Sequence, residues 1–246
     1  MTETPVSDQF FIERLLRATP VAWVTRTMIA LNVLMWLANV AGGMSPLQPA
    51  PIELLAWGGN LAAFTQQQPW RLLTATFLHA GAIHLAFNMW ALWNMGEVAE
   101  RFYGNLQYLL VYLLSGIFGS LASMHFAAQK GVSVGASGAI FGVAGMLLAA
   151  LFTKHDRLPA PLVASMRTSL LIFVGYSLFL GFTSGVVDNA AHIGGLLAGF
   201  VLASIMAAKF DWANYRNSAV SRALIALAVA LVAGYIGWMT LPASIM

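Results

Sequence analysis

Four polar side chains interrupt long apolar stretches of this 246-residue chain and have types that combine into acyl-transfer chemistry: Ser137, His192, His84 and Asn88. A serine hydroxyl is a weak nucleophile until a neighbouring imidazole takes its proton, and the oxyanion that follows attack on a carbonyl needs N–H donors. Small residues surround the serine in Gly135-Ala136-Ser137-Gly138, so backbone amides at a helix start can approach a carbonyl and turn partial positive charge toward it. His84 and Asn88 are four apart and share a helix face. His192 is followed by Gly195 and Gly199, a small-xxx-small spacing that lets its helix pack closely on a neighbour. If that neighbour carries Ser137, hydroxyl and imidazole come within hydrogen-bond reach.

Each feature has a plainer reading. A serine in an apolar helix commonly bonds its own i−4 carbonyl, and a small-xxx-small pair most often only packs helices. Convergence of the four favours chemistry. Asp188 falls in a loop and the charge-free spans hold no Asp or Glu, so a two-residue Ser-His unit is expected, with His192 as base and then acid. The Ser137 amide, His84 and Asn88 are the expected oxyanion donors. With no cysteine, thiolate catalysis is excluded, and without an H-E-x-x-H motif a metalloprotease fits poorly; no metal or cofactor is expected.

The elements that must hold these residues follow from composition. The chain is 59% apolar and 9% charged, against about 45–50% and about 25% in soluble domains, and its mean hydropathy is +0.76. Lipid is therefore its solvent. The net charge of +3 comes from basic residues scattered singly rather than gathered on one face, which argues against a nucleic-acid partner. Seven apolar runs qualify as spans, near 27–43, 82–96, 105–127, 137–152, 168–184, 191–208 and 222–241. The long interval 44–81 is broken by Pro and Gly, and its Ile52 to Trp57 piece has the character of a segment lying in the headgroup zone.

With a cytoplasmic N-terminus, ten basic residues fall inside and two, Arg71 and Lys130, outside, which is a clear positive-inside bias. Single cysteines near Thr4 and near Ser244 are then expected to label from opposite sides. Residues 1–26 read as a cytoplasmic tail, since they lack the apolar core of a signal peptide and carry acidic residues foreign to a mitochondrial presequence. The second, fourth and sixth spans run in one direction, each starting at the outer face. Ser137 to Lys154 and Ala191 to Lys209 are too short to cross comfortably at 1.5 Å per residue. Their outer ends are expected to start below the surface, which is tolerated only where they are surrounded by protein or line a water-filled cavity, and this suggests an aqueous pocket opening outward. Ser137, His192, His84 and Asn88 all lie in the first turns of these spans and so at similar depth. His125 and His155 are expected to be solvated, and Asn94 to bond across helices.

These residues resemble the rhomboid family of intramembrane serine proteases over about residues 52 to 208. The resemblance rests on Trp70-Arg71, on His79 and His84 followed by Asn88, on Gly135-x-Ser137-Gly138, and on Ala191-His192-x-x-Gly195-x-x-x-Gly199. It implies an all-α, polytopic membrane helical bundle, with a six-helix rhomboid-like core over 27–208 and the membrane-associated first loop at 44–81. A linker at 209–221 and a seventh C-terminal transmembrane helix in 222–246 follow. It further implies a serine endopeptidase that cuts transmembrane segments of membrane proteins near their outer end, admits substrate beside the fifth helix, and uses Gly135, Gly138, Phe141 and His79 as supporting residues. Phe141 is a departure: some members carry tyrosine there, packed on the histidine ring, and this chain keeps the aromatic face without the hydroxyl.

Two other classes use the same features. A non-catalytic chaperone of transmembrane helices would share the cavity; a transporter fits less well, for want of an internal repeat or an intramembrane carboxylate. The short, loop-poor chain reads as a multi-pass protein of a bacterial inner membrane, with its C-terminus outside.

Overall fold

The computed structural model describes residues 8–127, 131–185 and 187–242. Lys130, Thr4 and Ser244, used in the topology expectations, lie outside the described residues. Those residues are helical almost throughout, and their one strand-like contact is an isolated antiparallel bridge between Asn60 and Ser133.

Seven long helices match the seven expected spans: α2 (Trp23–Ala41), α6 (Ala82–Tyr103), α7 (Asn105–Phe126), α8 (Ser137–Thr153), α9 (Ala160–Ser184), α10 (Asn189–Ile205) and α11 (Trp212–Met239). A short helix, α1 (Asp8–Ala18), precedes them. The chain is a multi-pass integral membrane protein. Its helices α2, α7, α9 and α11 are long and apolar enough to cross a bilayer alone. Helix α6 meets that test only together with Arg71–Phe77, from which it is bent by 93°. Helices α8 and α10 have 17 residues each, about 26 Å of rise against a hydrocarbon core of about 30 Å. Both are shorter than a span needs, as their sequences led us to expect.

Helix α8 is apolar on every side, the pattern of a helix with no solvent face, and every residue from Gly138 to Leu151 is buried. It forms the centre of the bundle, packed by α6, α7, α9 and α10. Glycines set the spacing. A β-carbon on Gly195 would collide with the Gly138 carbonyl, and one on Gly199 with that of Gly142. The matched positions rise together along both helices, so α8 and α10 are parallel, as the span count required. Against α7 the order reverses, with Gly138 near Gly119 and Gly142 against Ser115; α7 is antiparallel.

Four helices extend well beyond the expected spans. Helix α2 begins at Trp23, inside the expected tail, α6 continues to Tyr103, α9 begins at Ala160 and α11 at Trp212, inside the expected linker. Charged residues ended the spans on paper, but in the fold they have partners. Glu97 pairs with Arg101 at 3.1 Å, and the fully buried Glu100 carboxylate accepts the Val24 and Thr25 amides at 2.9 and 2.8 Å, capping the start of α2. Acidic residues therefore do lie within α6, contrary to expectation. Glu100 is sixteen residues from His84, roughly 24 Å along the axis, too far to act as a third member of the site.

The cations at this end satisfy helix-terminal carbonyls. Arg167 donates to Leu151 O at 2.8 Å and Lys154 to Ala203 O at 3.1 Å. Lys209 donates to Ala18 O at 2.8 Å, tying down α1, whose Phe11 packs against Phe210. Burial, and then the charge of Arg222, hold the Lys154 ammonium down to about 8, partly opposed by Asp211.

The first loop folds into α3 (Pro51–Ala56), α4 (Ala62–Thr65), α5 (Arg71–Thr74) and a 3-10 turn at Ala75–Phe77. Arg71 is buried, donating to Leu55 O at 2.6 Å, Gly59 O at 3.0 Å and Gln68 Oε1 at 2.8 Å. Counted as an outside charge in the topology argument, it is a structural centre of the loop. Asn60 exchanges backbone hydrogen bonds with Ser133 at 3.0 and 2.8 Å, and its side chain donates to Ser120 O at 2.9 Å and accepts from Thr65 Oγ1 at 2.8 Å. The loop is thereby fastened to the segment leading into Ser137. Asn60→Ala removes the bond to Ser120 O and takes from the buried Thr65 hydroxyl its Asn60 acceptor, and is expected to cost about 2 kcal/mol of stability, read as a lowered unfolding midpoint in mixed micelles.

Candidate active site

Ser137, His192, His84 and Asn88 all line one cavity of about 540 Å³, together with Gly135, Gly138 and Phe141. It opens at the end of the bundle where α6, α8 and α10 begin. Each polar residue arrives there by a local cause.

Ser137 is the first residue of α8. Several serines deeper in helices bond backward, as Ser204 does to Phe200 O at 2.7 Å, though Ser115 in α7 does not; Ser137 has no turn behind it. Its hydroxyl makes no hydrogen bond among the described residues and is half-buried. The first backbone bond of α8 joins Ile140 N–H to Ala136 O. The amides of Ser137, Gly138 and Ala139 thus precede the ladder, at the positive end of the helix dipole. The approach to Ser137 is fixed by Gly135, at φ +128°, whose amide bonds Ala75 O at 2.9 Å.

His192 sits three residues before Gly195, at the point where α10 meets α8. Its ring stacks on Phe141, with centroids 4.1 Å apart and planes within 12°. Among the described residues Nδ1 is buried without a partner, leaving Nε2 as the ring nitrogen available to the cavity. Asp188 does not serve it: the carboxylate accepts the Ala191 amide at 3.1 Å as the cap of α10. No hydrogen bond joins Ser137 to His192 among the described residues. Such bonds are often long in an empty site and tighten when substrate arrives.

His84 lies against Gly135, where a β-carbon would fall 2.7 Å from Cε1 and 3.0 Å from Nε2 of the ring, and 3.7 Å from Ser137 Oγ. Glycine is required there both for the positive φ and for the space. The Ala80 amide donates to His84 Nδ1 at 3.2 Å, so a neutral ring carries its proton on Nε2, a nitrogen that lies against Gly135. Asn88 gives one amide hydrogen to His84 O at 2.8 Å, and the other has no acceptor among the described residues. His79 is fully buried behind His84, its ring 5.2 Å away at 61°; it supports that ring rather than facing the cavity.

Other expectations need amendment. Asn94 bonds its own helix, donating to Trp90 O at 2.7 Å, and faces outward. His125 is not free in a loop: Nδ1 contacts Leu121 O at 3.0 Å and Nε2 contacts Thr240 Oγ1 at 3.4 Å. Sequence reasoning also missed Gly142 and Asn60. Gly142 repeats the four-residue spacing from Gly138, a signal legible beside Gly195 and Gly199; Asn60 carried no local signal.

Helices of this length, packed around a buried central one with serine, histidine and amide donors at one cavity, define a polytopic membrane protein with a site suited to acyl transfer. The model of the Rhomboid domain matches residues 66–209, more than half of the chain, and the chain belongs to the rhomboid family. It is 38% identical over 207 residues to Rhomboid protease GluP of Bacillus subtilis (strain 168), covering 83% of this chain and 39% of that protein. RHOMBOID-like protein 6, mitochondrial, of Arabidopsis thaliana is 42% identical over 153 residues, covering 61% of this chain and 48% of the relative. Rhomboid-like protease 1 of Toxoplasma gondii is 33% identical over 192 residues, covering 75% and 65%. The chain thus spans less than two thirds of the length of each of these relatives.

Proposed function

We propose that this chain is an intramembrane serine endopeptidase in which Ser137 attacks a substrate carbonyl and His192 takes the proton and returns it to the leaving amine. The observation that carries this reading is the shared cavity: Ser137, free of the back-bonding usual for helical serines, opens into the same space as the stacked His192 ring. The tetrahedral oxyanion is met by the Ser137 amide, His84 Nε2–H and the free Asn88 amide hydrogen, and the α8 dipole adds to them. Removing a donor affects the transition state more than the bound substrate. His84→Ala and Asn88→Ala are each expected to lower kcat by on the order of 10²-fold with little change in KM, measured on a transmembrane reporter in proteoliposomes.

In the proposed topology the N-terminus is cytoplasmic, the C-terminus lies outside and the cavity faces outward, so substrates are cut near their outer end. A helical carbonyl is hydrogen-bonded and shielded, so scissile segments carry small or helix-destabilising residues. The test is mass-spectrometric mapping of products from reporter segments reconstituted in one orientation. Cuts within the outer few turns support the reading, and cuts at the inner end contradict it.

A further inference from the structure

Helix α1 (Asp8–Ala18) carries a second apolar strip that the bundle leaves uncovered. We infer that α1 lies along the membrane surface at the end of the bundle opposite the catalytic cavity, with Ile12 and Leu16 in lipid at the boundary between headgroups and acyl chains. This surface is outside the candidate active site, and its role does not depend on the protease reading.

The packing of α1 fixes which way each residue points. Phe11 and Leu15, four apart, are buried, and Phe11 meets Phe210 with ring centroids 6.3 Å apart. At the C-terminal end Lys209 donates to Ala18 O at 2.8 Å and to Thr19 Oγ1 at 2.7 Å, so the helix cannot turn about its axis. With 3.6 residues per turn, Ile12 and Leu16 come about 100° round from the buried pair, and Glu13 and Arg17 about 200° round. Ile12 and Leu16 are 45% and 44% exposed. Glu13 and Arg17 pair with each other at 3.8 Å and are more open still. The helix thus meets the bundle with one face and water with the opposite one. The apolar strip lies between them, the division found in helices that lie in the membrane interface.

Depth selects lipid for that strip. Helix α7 has 22 residues, about 33 Å of rise against a hydrocarbon core of about 30 Å, so its first residue, Asn105, marks one edge of the core. Just before it, in the last turn of α6, Phe102 meets Phe210 at 5.1 Å, and Phe210 meets Phe11. Helix α1 therefore sits at the level where a full-length span enters the hydrocarbon. Its flanks agree. The chain runs on through Pro20 to Trp23, the exposed first residue of α2, and Arg14 lies 4.6 Å from the ring of Trp212, the first residue of α11. Tryptophans at helix ends are characteristic of the headgroup level. A protein partner fits poorly, because two side chains less than half exposed fall far short of the about 800 Å² per partner that a stable interface buries. Lipid needs no such area, since it already surrounds the neighbouring spans.

The experiment uses the full chain, which has no native cysteine, in nanodiscs of phosphatidylcholine and phosphatidylglycerol, with a nitroxide on one introduced cysteine at a time: Ile12→Cys, Leu16→Cys, Glu13→Cys or Arg17→Cys. All four positions are exposed, so the labels leave the packing of Phe11 and Leu15 in place. Leu34→Cys, on the exposed side of α2, gives the reference for a side chain in lipid. Power saturation reads the collision rates with oxygen, which concentrates in lipid, and with a nickel chelate, which stays in water. At Ile12 and Leu16 the oxygen rate is expected to exceed the nickel rate several-fold, as at Leu34, and at Glu13 and Arg17 the order is expected to reverse. A nickel rate that dominates at Ile12 and Leu16 would put the strip in water and overturn the inference. Low rates of both reagents there would overturn it as well, because the strip would then be covered by protein, such as a second copy of the chain.

Discussion

Ser137→Ala and His192→Ala are each expected to lower cleavage of a transmembrane reporter by on the order of 10⁶-fold, and the double variant by no more than either alone. The size follows from the chemistry: alanine at 137 removes the attacking oxygen, and alanine at 192 leaves a hydroxyl with no base to take its proton. Non-additivity follows because the two act as one unit, so the second loss removes nothing further. What remains is the work of the oxyanion donors and of positioning. Initial rates in proteoliposomes, normalised to folded protein, give all three values. Two single losses that multiply in the double variant would mean that Ser137 and His192 act independently, contrary to the proposed mechanism.

An effect as large as the loss of an oxyanion donor is expected from glycines that touch no substrate. A methyl group at Gly195 meets the Gly138 carbonyl and one at Gly199 meets that of Gly142, so either substitution must push α8 and α10 apart. Those contacts fix the distance between Ser137 and His192. A displacement of about 1 Å at reacting groups can cost on the order of 10²-fold in rate. Gly195→Ala and Gly199→Ala are accordingly expected to lose about that much activity while retaining their helical content. Gly175 on α9 provides the comparison, because a methyl there meets nothing within 4 Å and alanine favours a helix. Gly175→Ala should retain nearly full activity. Equal rates in all three variants would remove the interhelical spacing from the account.

The sequence made most of this arrangement legible because lipid imposes few solutions. Charge-free runs revealed the seven long helices, and the basic residues between them gave α8 and α10 a common direction. Equal distance from the helix starts then brought His84, Asn88, Ser137 and His192 to one depth, where one cavity holds them. What escaped depends on partners distant in sequence. Glu100 read as the end of a span because its capping of α2 requires Val24 and Thr25, three quarters of a hundred residues earlier. Arg71 read as a loop charge because two of its three acceptors, Leu55 O and Gly59 O, are main-chain carbonyls, which no pattern of side chains displays. The hold of Asn60 on Ser133 is backbone pairing in a broken loop with no periodicity to reveal it. His125 read as solvated because the seventh helix that covers it arrives more than a hundred residues later.

The central claim is that Ser137 is an activated nucleophile and that His192 activates it. The most direct measurement is labelling of the purified protein with a fluorescent serine-reactive phosphonate, comparing wild type with Ser137→Ala and His192→Ala. The account predicts time-dependent labelling of the wild type at Ser137, mapped by peptide mass spectrometry, and none above background in either variant. Equal labelling in all three proteins would contradict it and favour a cavity that binds transmembrane helices without cutting them.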